Sequence, residues 1–168
     1  AFTFFATASS VSMCGAVPVF ADVDMATATI DPADILAKIG PKTKAVIGVH
    51  LYGQPCDVGA IRDICDDKGL VFIEDAAQAH GAEYRGKRAG ALGDLACFSF
   101  YATKNLATGE GGMVTTASDE YDARLRRIIN HGQSEKYLHT ELGYNYRMTD
   151  INAAIGRVQL AKLDGFNR

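Results

Sequence analysis

The sequence predicts an α/β fold with a mostly parallel sheet flanked by helices. Three observations carry this. Short apolar runs of strand length alternate with helix-period segments through residue 81. Two of those runs, "AVIGV" and "LVFI", are continuously apolar, as buried strands are. The helix-period segments open on capping residues and close on glycine or basic side chains. A length of 168 residues fits one compact domain or part of a larger one.

The elements follow in order. "VPVFADVD" (17–24) reads as a strand ending in acids. "DPADILAKIG" (31–40) has Asp31 as N-cap, Pro32 at the first helical position and Gly40 as its stop. "TKAVIGVHLYG" (43–53) is a buried strand followed by a loop. In "DVGAIRDICDDKG" (57–69), Val58, Ile61, Ile64 and Cys65 share one helical face, and Gly69 ends the helix. "LVFIEDAAQAHG" (70–81) opens with another buried strand. "LACFSFY" (95–101) and "GGMVTT" (111–116) are two more. No crossover helix lies among these last segments, so they are sheet additions, one of them open to antiparallel pairing. "SDEYDARLRRIINHG" (118–132) is a helix with Ser118 ahead of acids and Arg/His in its last turn. "TDINAAIGRVQLAKLDG" (149–165) is a second, capped by Thr149 and closed by Gly165.

Bulk properties exclude several classes. Hydrophobic residues make up 48% and charged residues 22%, as in ordinary globular proteins. A net charge of -3 and the lack of a long basic run give no case for a nucleic-acid partner. No run is long and apolar enough to imply a membrane partner. The apolar N-terminus lacks a basic region and is not read as a signal peptide. It opens in mid-pattern, as if cut from something longer. The four cysteines, Cys14, Cys56, Cys65 and Cys97, form no CxxC pair. They are expected to be buried free thiols in a cytoplasmic protein, with no metal site. No GxGxxG follows a strand, which argues against a Rossmann dehydrogenase.

Ligands of open α/β sheets bind beyond the carboxyl ends of the strands. That edge would gather Asp75, Gln78 and His80 after one strand, Ser99 and Lys104 after another, and His50 and Tyr52 after a third. A strand-end carboxylate can hold a protonated ring nitrogen. A desolvated lysine can condense with an aldehyde. Together they describe a pyridoxal phosphate site. Glu74 would point away from Asp75 and is read as structural. His80 has two readings: it orients the cofactor loop, or it is a satisfied histidine beneath it. His50 and Tyr52 have two readings, lining of the substrate cleft and, favoured, loop packing; "GEGG" (109–112) is assigned to a tight turn and "RLRR" (124–127) to a solvated helix face.

The segments "FTFFATASSV…GAVPVFADVD", "VHLYGQPCDV", "FIEDAAQAHGA", "FSFYATKNLATGEGGMV", "HG" and "LGYNYRMTDINAAIGRVQL" make the chain resemble the DegT/StrS-type sugar aminotransferases. The similarity runs in order over essentially the whole chain. It implies the large cofactor-binding domain of a fold-type-I, aspartate aminotransferase-like enzyme using pyridoxal 5'-phosphate, with pyridoxamine 5'-phosphate as its other form. By position, the resemblance implies Lys104 as the aldimine lysine, Asp75 on the pyridine nitrogen and Gln78 near the ring 3-hydroxyl. It also implies Phe4 stacked on the ring and Ser99 on the phosphate. Asn145 would reach the phosphate from a neighbouring subunit, which implies a homodimer with shared sites. The implied substrates are an amino donor, glutamate in much of the family, and a nucleotide-linked keto-sugar.

Related dehydratases carry histidine where this chain has Lys104, so transamination is favoured over dehydration. A non-catalytic regulatory or structural role is the remaining alternative. Residues 1–168 are expected to form only part of the cofactor domain, without the family's N-terminal segment and C-terminal small domain. The "PVFADV" strand would then lack its sheet neighbour, and this stretch alone would bind cofactor weakly or not at all. Ala102 stands where many relatives have proline, a change that loosens a turn and removes no functional group.

Overall fold

The computed structural model describes residues 1–168. Its elements run α1 (Phe5–Met13), α2 (Pro32–Lys38), β1 (Ala45–Val49), a 3-10 turn (Leu51–Gly53), α3 (Val58–Lys68) and β2 (Val71–Asp75). A small hairpin follows, β3 (Glu83–Tyr84) with β4 (Lys87–Arg88), then β5 (Leu95–Ser99), β6 (Gly112–Thr115) and α4 (Asp119–Ile128). A second hairpin, β7 (Gln133–Glu135) with β8 (Leu138–His139), precedes α5 (Asp150–Leu160) and α6 (Leu163–Phe166).

Local chemistry explains most boundaries. Asp31, Asp57, Ser118 and Thr149 each accept a backbone N–H at the start of α2, α3, α4 and α5. Each such cap contributes about 1 kcal/mol. Gly69 ends α3 at φ 63, a left-handed C-cap that a side chain would strain. Gly40 does not stop α2, which ends at Lys38. The segment 149–165 is two helices rather than one, and Gly165 lies inside the second. Helix α1 carried no sequence signal, because its stretch has no polar–apolar period and no capping side chain; none of its residues is buried.

The main sheet has the order β1-β2-β5-β6. β1, β2 and β5 run parallel, and β6 returns antiparallel to β5. The sheet is thus the mostly parallel α/β arrangement that the sequence predicts. β2 reaches β5 through a hairpin-bearing loop instead of a helix. The core is one cluster on the α2/α3 side. Phe72, Ile61 and Cys65 are fully buried there, joined by Ile35, Val46 and Val58. A small second cluster of Phe100, Leu106 and Leu163 pins the turn after β5.

Residues 17–24 are a correction to the sequence reading. They make a single bridge, Val23 to Ile30, and enter no ladder. β1 hydrogen-bonds only to β2 and is an edge. An apolar cavity of about 530 Å³ separates it from residues 17–23. Val17 is 83% exposed and Val19 68%, so these strand-like side chains are left uncovered, and no neighbouring strand pairs with the segment. The thiols are a second correction. Cys56 and Cys65 are buried, but Cys14 and Cys97 are exposed. Cys14 ends a helix with no core contacts, and Cys97 faces the open side of β5. No helix is long and apolar enough to cross a membrane.

Candidate active site

β2 ends on Glu74 and Asp75, and strand alternation sends them to opposite faces. Glu74 is fully buried. Its oxygens accept N–H groups from Gly90 (2.8 Å), Leu92 (2.8 Å) and Gly93 (2.7 Å), and from His50 Nε2 (3.0 Å). His50 Nδ1 accepts the Cys56 N–H at 3.3 Å, so its proton sits on Nε2 and is donated to Glu74. Burial alone would raise the Glu74 pKa; His50 and the three amides outweigh it and hold the carboxyl below its usual range. Gly93 is required here, since a Cβ would lie 2.7 Å from the Phe72 carbonyl. Cys56, enclosed beside this carboxylate, has its thiol pKa pushed up to about 12 by burial.

Asp75 has an open environment. Its Oδ2 accepts the Thr7 hydroxyl at 2.6 Å, and its Oδ1 the Ala77 N–H at 3.2 Å. Each carboxylate oxygen can accept twice, so both keep capacity for a ligand. Gln78 Oε1 accepts the Tyr52 N–H at 2.8 Å. That bond fixes the amide, since a backbone N–H cannot donate to an NH2 group, and leaves the Gln78 NH2 as the free donor. Tyr52 itself sits at φ 53, inside the turn that the buried His50 begins.

β5 supplies the other half. Cys97 pairs with Asp75 in register, and Ser99 lies two residues further toward the same edge. The Ser99 oxygen accepts the Tyr101 N–H at 3.3 Å, leaving its O–H free to donate. Lys104 closes the turn through its N–H to the Tyr101 carbonyl (2.9 Å). Its amine enters no hydrogen bond or ion pair. His80 is 4% exposed and packs against Phe98 and Phe100, with ring centroids 5.4 and 5.9 Å away. Both its nitrogens lack a hydrogen-bond partner. Burial lowers its pKa, and the nearby Lys104 ammonium lowers it further; the Ser99 carbonyl and Asn105 amide lie close enough to oppose this without reaching bonding geometry.

The sheet edge thus brings Asp75, Gln78, His80, Ser99 and Lys104 to the ends of two adjacent strands. Phe4 and Asn145 come from other elements of the chain. Phe4 is the N-cap of α1 and 76% exposed, so its ring is free rather than core-packed. Asn145 is an exposed loop residue bridged through its backbone to Asn130. Sequence reasoning missed Thr7, Thr3 and Asn105. Asn105 Nδ2 donates to the His80 carbonyl (3.2 Å) and to Asn167 Oδ1 (2.8 Å), tying the Lys104 turn to the His80 loop. The available signal was the hydroxyls within the apolar "FTFFATASS". The apolar cavity at the β1 edge contains none of Asp75, Gln78, Ser99 or Lys104; it reflects the uncovered strand.

The sheet that carries this carboxylate, amide, hydroxyl and amine is the scaffold of solved fold-type-I aminotransferases. The chain belongs to the DegT/DnrJ/EryC1/StrS aminotransferase family, whose profile matches residues 1–168. It is 53% identical over 165 residues to the "Pleiotropic regulatory protein" of Geobacillus stearothermophilus, covering 98% of this chain and 44% of that one. It is 48% identical over 164 residues to the GDP-perosamine synthase of Caulobacter vibrioides, covering 96% and 44%. Among solved structures, DesV of S. venezuelae in complex with a ketimine intermediate superposes with a TM-score of 0.94 at 45% identity, covering 97% of this chain and 44% of that one. The chain spans less than half the length of these relatives.

Proposed function

We propose that this chain is part of the cofactor domain of a pyridoxal phosphate-dependent aminotransferase. The enzyme moves an amino group from an amino-acid donor, glutamate, to a nucleotide-linked keto-sugar. The observation that carries the reading is the unpaired amine of Lys104 on the same strand edge as the half-used carboxylate of Asp75. Relatives named as GDP-perosamine synthase and as a dTDP-amino-sugar transaminase supply the substrate class.

The donor set fits the cofactor. Asp75 would accept the ring N–H, and the Gln78 NH2 would donate to the ring oxygen. Ser99 would donate its hydroxyl to the phosphate. His80 has two unpaired nitrogens beside that loop, one of which a ligand oxygen can satisfy. Phe4 has a free ring for stacking. When bound, pyridoxal phosphate supplies an electron sink for charge at the carbon that bears the amine. Lys104 is the amine that would hold the cofactor's aldehyde and, when free, would move the proton at the substrate carbon. The buried Glu74–His50 pair holds the loops behind this face. The exposed Leu142, Tyr144 and Tyr146 around Asn145 support a homodimer in which Asn145 serves the partner's phosphate.

The test uses the full-length protein. It should bind pyridoxal phosphate with a visible absorption band that survives dialysis and is lost in Lys104→Ala. Glutamate should then be converted to 2-oxoglutarate, which a dehydratase would not require. A band retained unchanged in Lys104→Ala overturns the assignment. The name of the Geobacillus relative favours one second reading, a regulatory protein. Failure of the full-length protein to bind any cofactor would support it.

A further inference from the structure

We propose that Thr7, backed by Thr3, is a positioning residue for Asp75. The inference rests on the reading of Asp75 as the partner of the cofactor's ring nitrogen. Thr7 Oγ1 lies 2.6 Å from Asp75 Oδ2, across 68 residues of sequence, and Thr3 Oγ1 lies 2.8 Å from Thr7 Oγ1. An ionised carboxylate only accepts, so the Thr7 proton is committed to Asp75. Thr7 can then only accept from Thr3, which sets the direction of the second bond. The result is a directed chain from Thr3 to Thr7 to Asp75. Hydrogen bonds to a charged group are stronger than neutral ones, and such chains polarise one another.

The Ala77 N–H occupies Oδ1 from the other side. Asp75 is therefore gripped at both oxygens and presents its remaining lone pairs in one fixed direction. The same contact is the one side-chain hydrogen bond between α1 and the sheet, and α1 buries no residue of its own. A carboxylate that must meet a ring N–H at one angle gains from such a grip. A merely structural role for Thr7 would dock α1, and with it Phe4, so its loss would lower the unfolding midpoint together with affinity; a positioning role lowers affinity at an unchanged midpoint, so the two are separable.

The experiment measures pyridoxal phosphate affinity by absorbance titration of the full-length protein, with unfolding midpoints recorded alongside. Thr7→Val should weaken cofactor binding about tenfold or more, the equivalent of one charge-assisted hydrogen bond. Thr7→Ser, which keeps the hydroxyl, should restore it. Thr3→Val should have a smaller effect. The Thr3→Val/Thr7→Val double variant should be no worse than Thr7→Val alone, because the first link acts through the second. In an Asp75→Ala background, Thr7→Val should change nothing further. The proposal is overturned if Thr7→Val binds as the wild type does, or if its effect persists without Asp75. If the wild type binds no cofactor, it is the aminotransferase reading that fails instead.

Discussion

Two neighbouring carboxylates of one strand show opposite designs. Glu74 is buried and saturated, with four donors on its two oxygens. Asp75, one residue on, holds two donors and keeps acceptor capacity in reserve. The two histidines repeat the contrast. His50 is partnered at both ring nitrogens, whereas His80 is buried with neither satisfied. A fully paired buried polar group is fold machinery, since nothing is left to bind with. A buried polar group without a partner costs about 1–3 kcal/mol, and a fold keeps it where a ligand can supply the missing bond.

The contrast can be broken from the back face with the largest effect. Glu74→Leu strands His50 Nε2–H and three amides and should cost about 3–5 kcal/mol in chemical denaturation. Asp75→Asn should do the reverse. Its unfolding free energy should stay within about 1 kcal/mol of wild type, while kcat falls about 10²–10³-fold. Equal stability losses in the two variants would dissolve the distinction between the faces.

His80 gives the smallest and most diagnostic effect. His80→Leu removes two orphaned nitrogens from between Phe98 and Phe100, so stability should hold or rise by up to about 1 kcal/mol, against a loss for His50→Leu. The pH dependence follows from the sign of the shift. The folded pKa of His80 lies below its ordinary 6.5, so between those values the unfolded chain binds the proton and the native one does not. Stability should therefore fall as pH drops below about 6.5, and His80→Leu should flatten that slope. Glu74 acts in the same direction at lower pH. Its folded pKa is depressed, so its stabilisation is complete above about 4.5 and is lost as pH falls through the folded value. An identical pH profile in wild type and His80→Leu would show that the orphaned ring carries no linkage.

The sequence by itself determined the α/β class, the buried strands that the structure places at 45–49 and 71–75, and three capped helix starts. These features depend on local periodicity and on a side chain meeting its own backbone. It also named Asp75, Gln78, Ser99 and Lys104 as residues of one strand edge, because strand ends can be read from the pattern. The tertiary structure decided the rest. Residues 17–24 have strand composition, but a strand needs a neighbour and β1 lies across a cavity from them. α1 has no period to betray it. The donors on Glu74 come from two loops, and the partner of Asp75 lies 68 residues away. Whether a carboxylate is saturated or poised depends on which distant donors the fold delivers, and no local pattern encodes that.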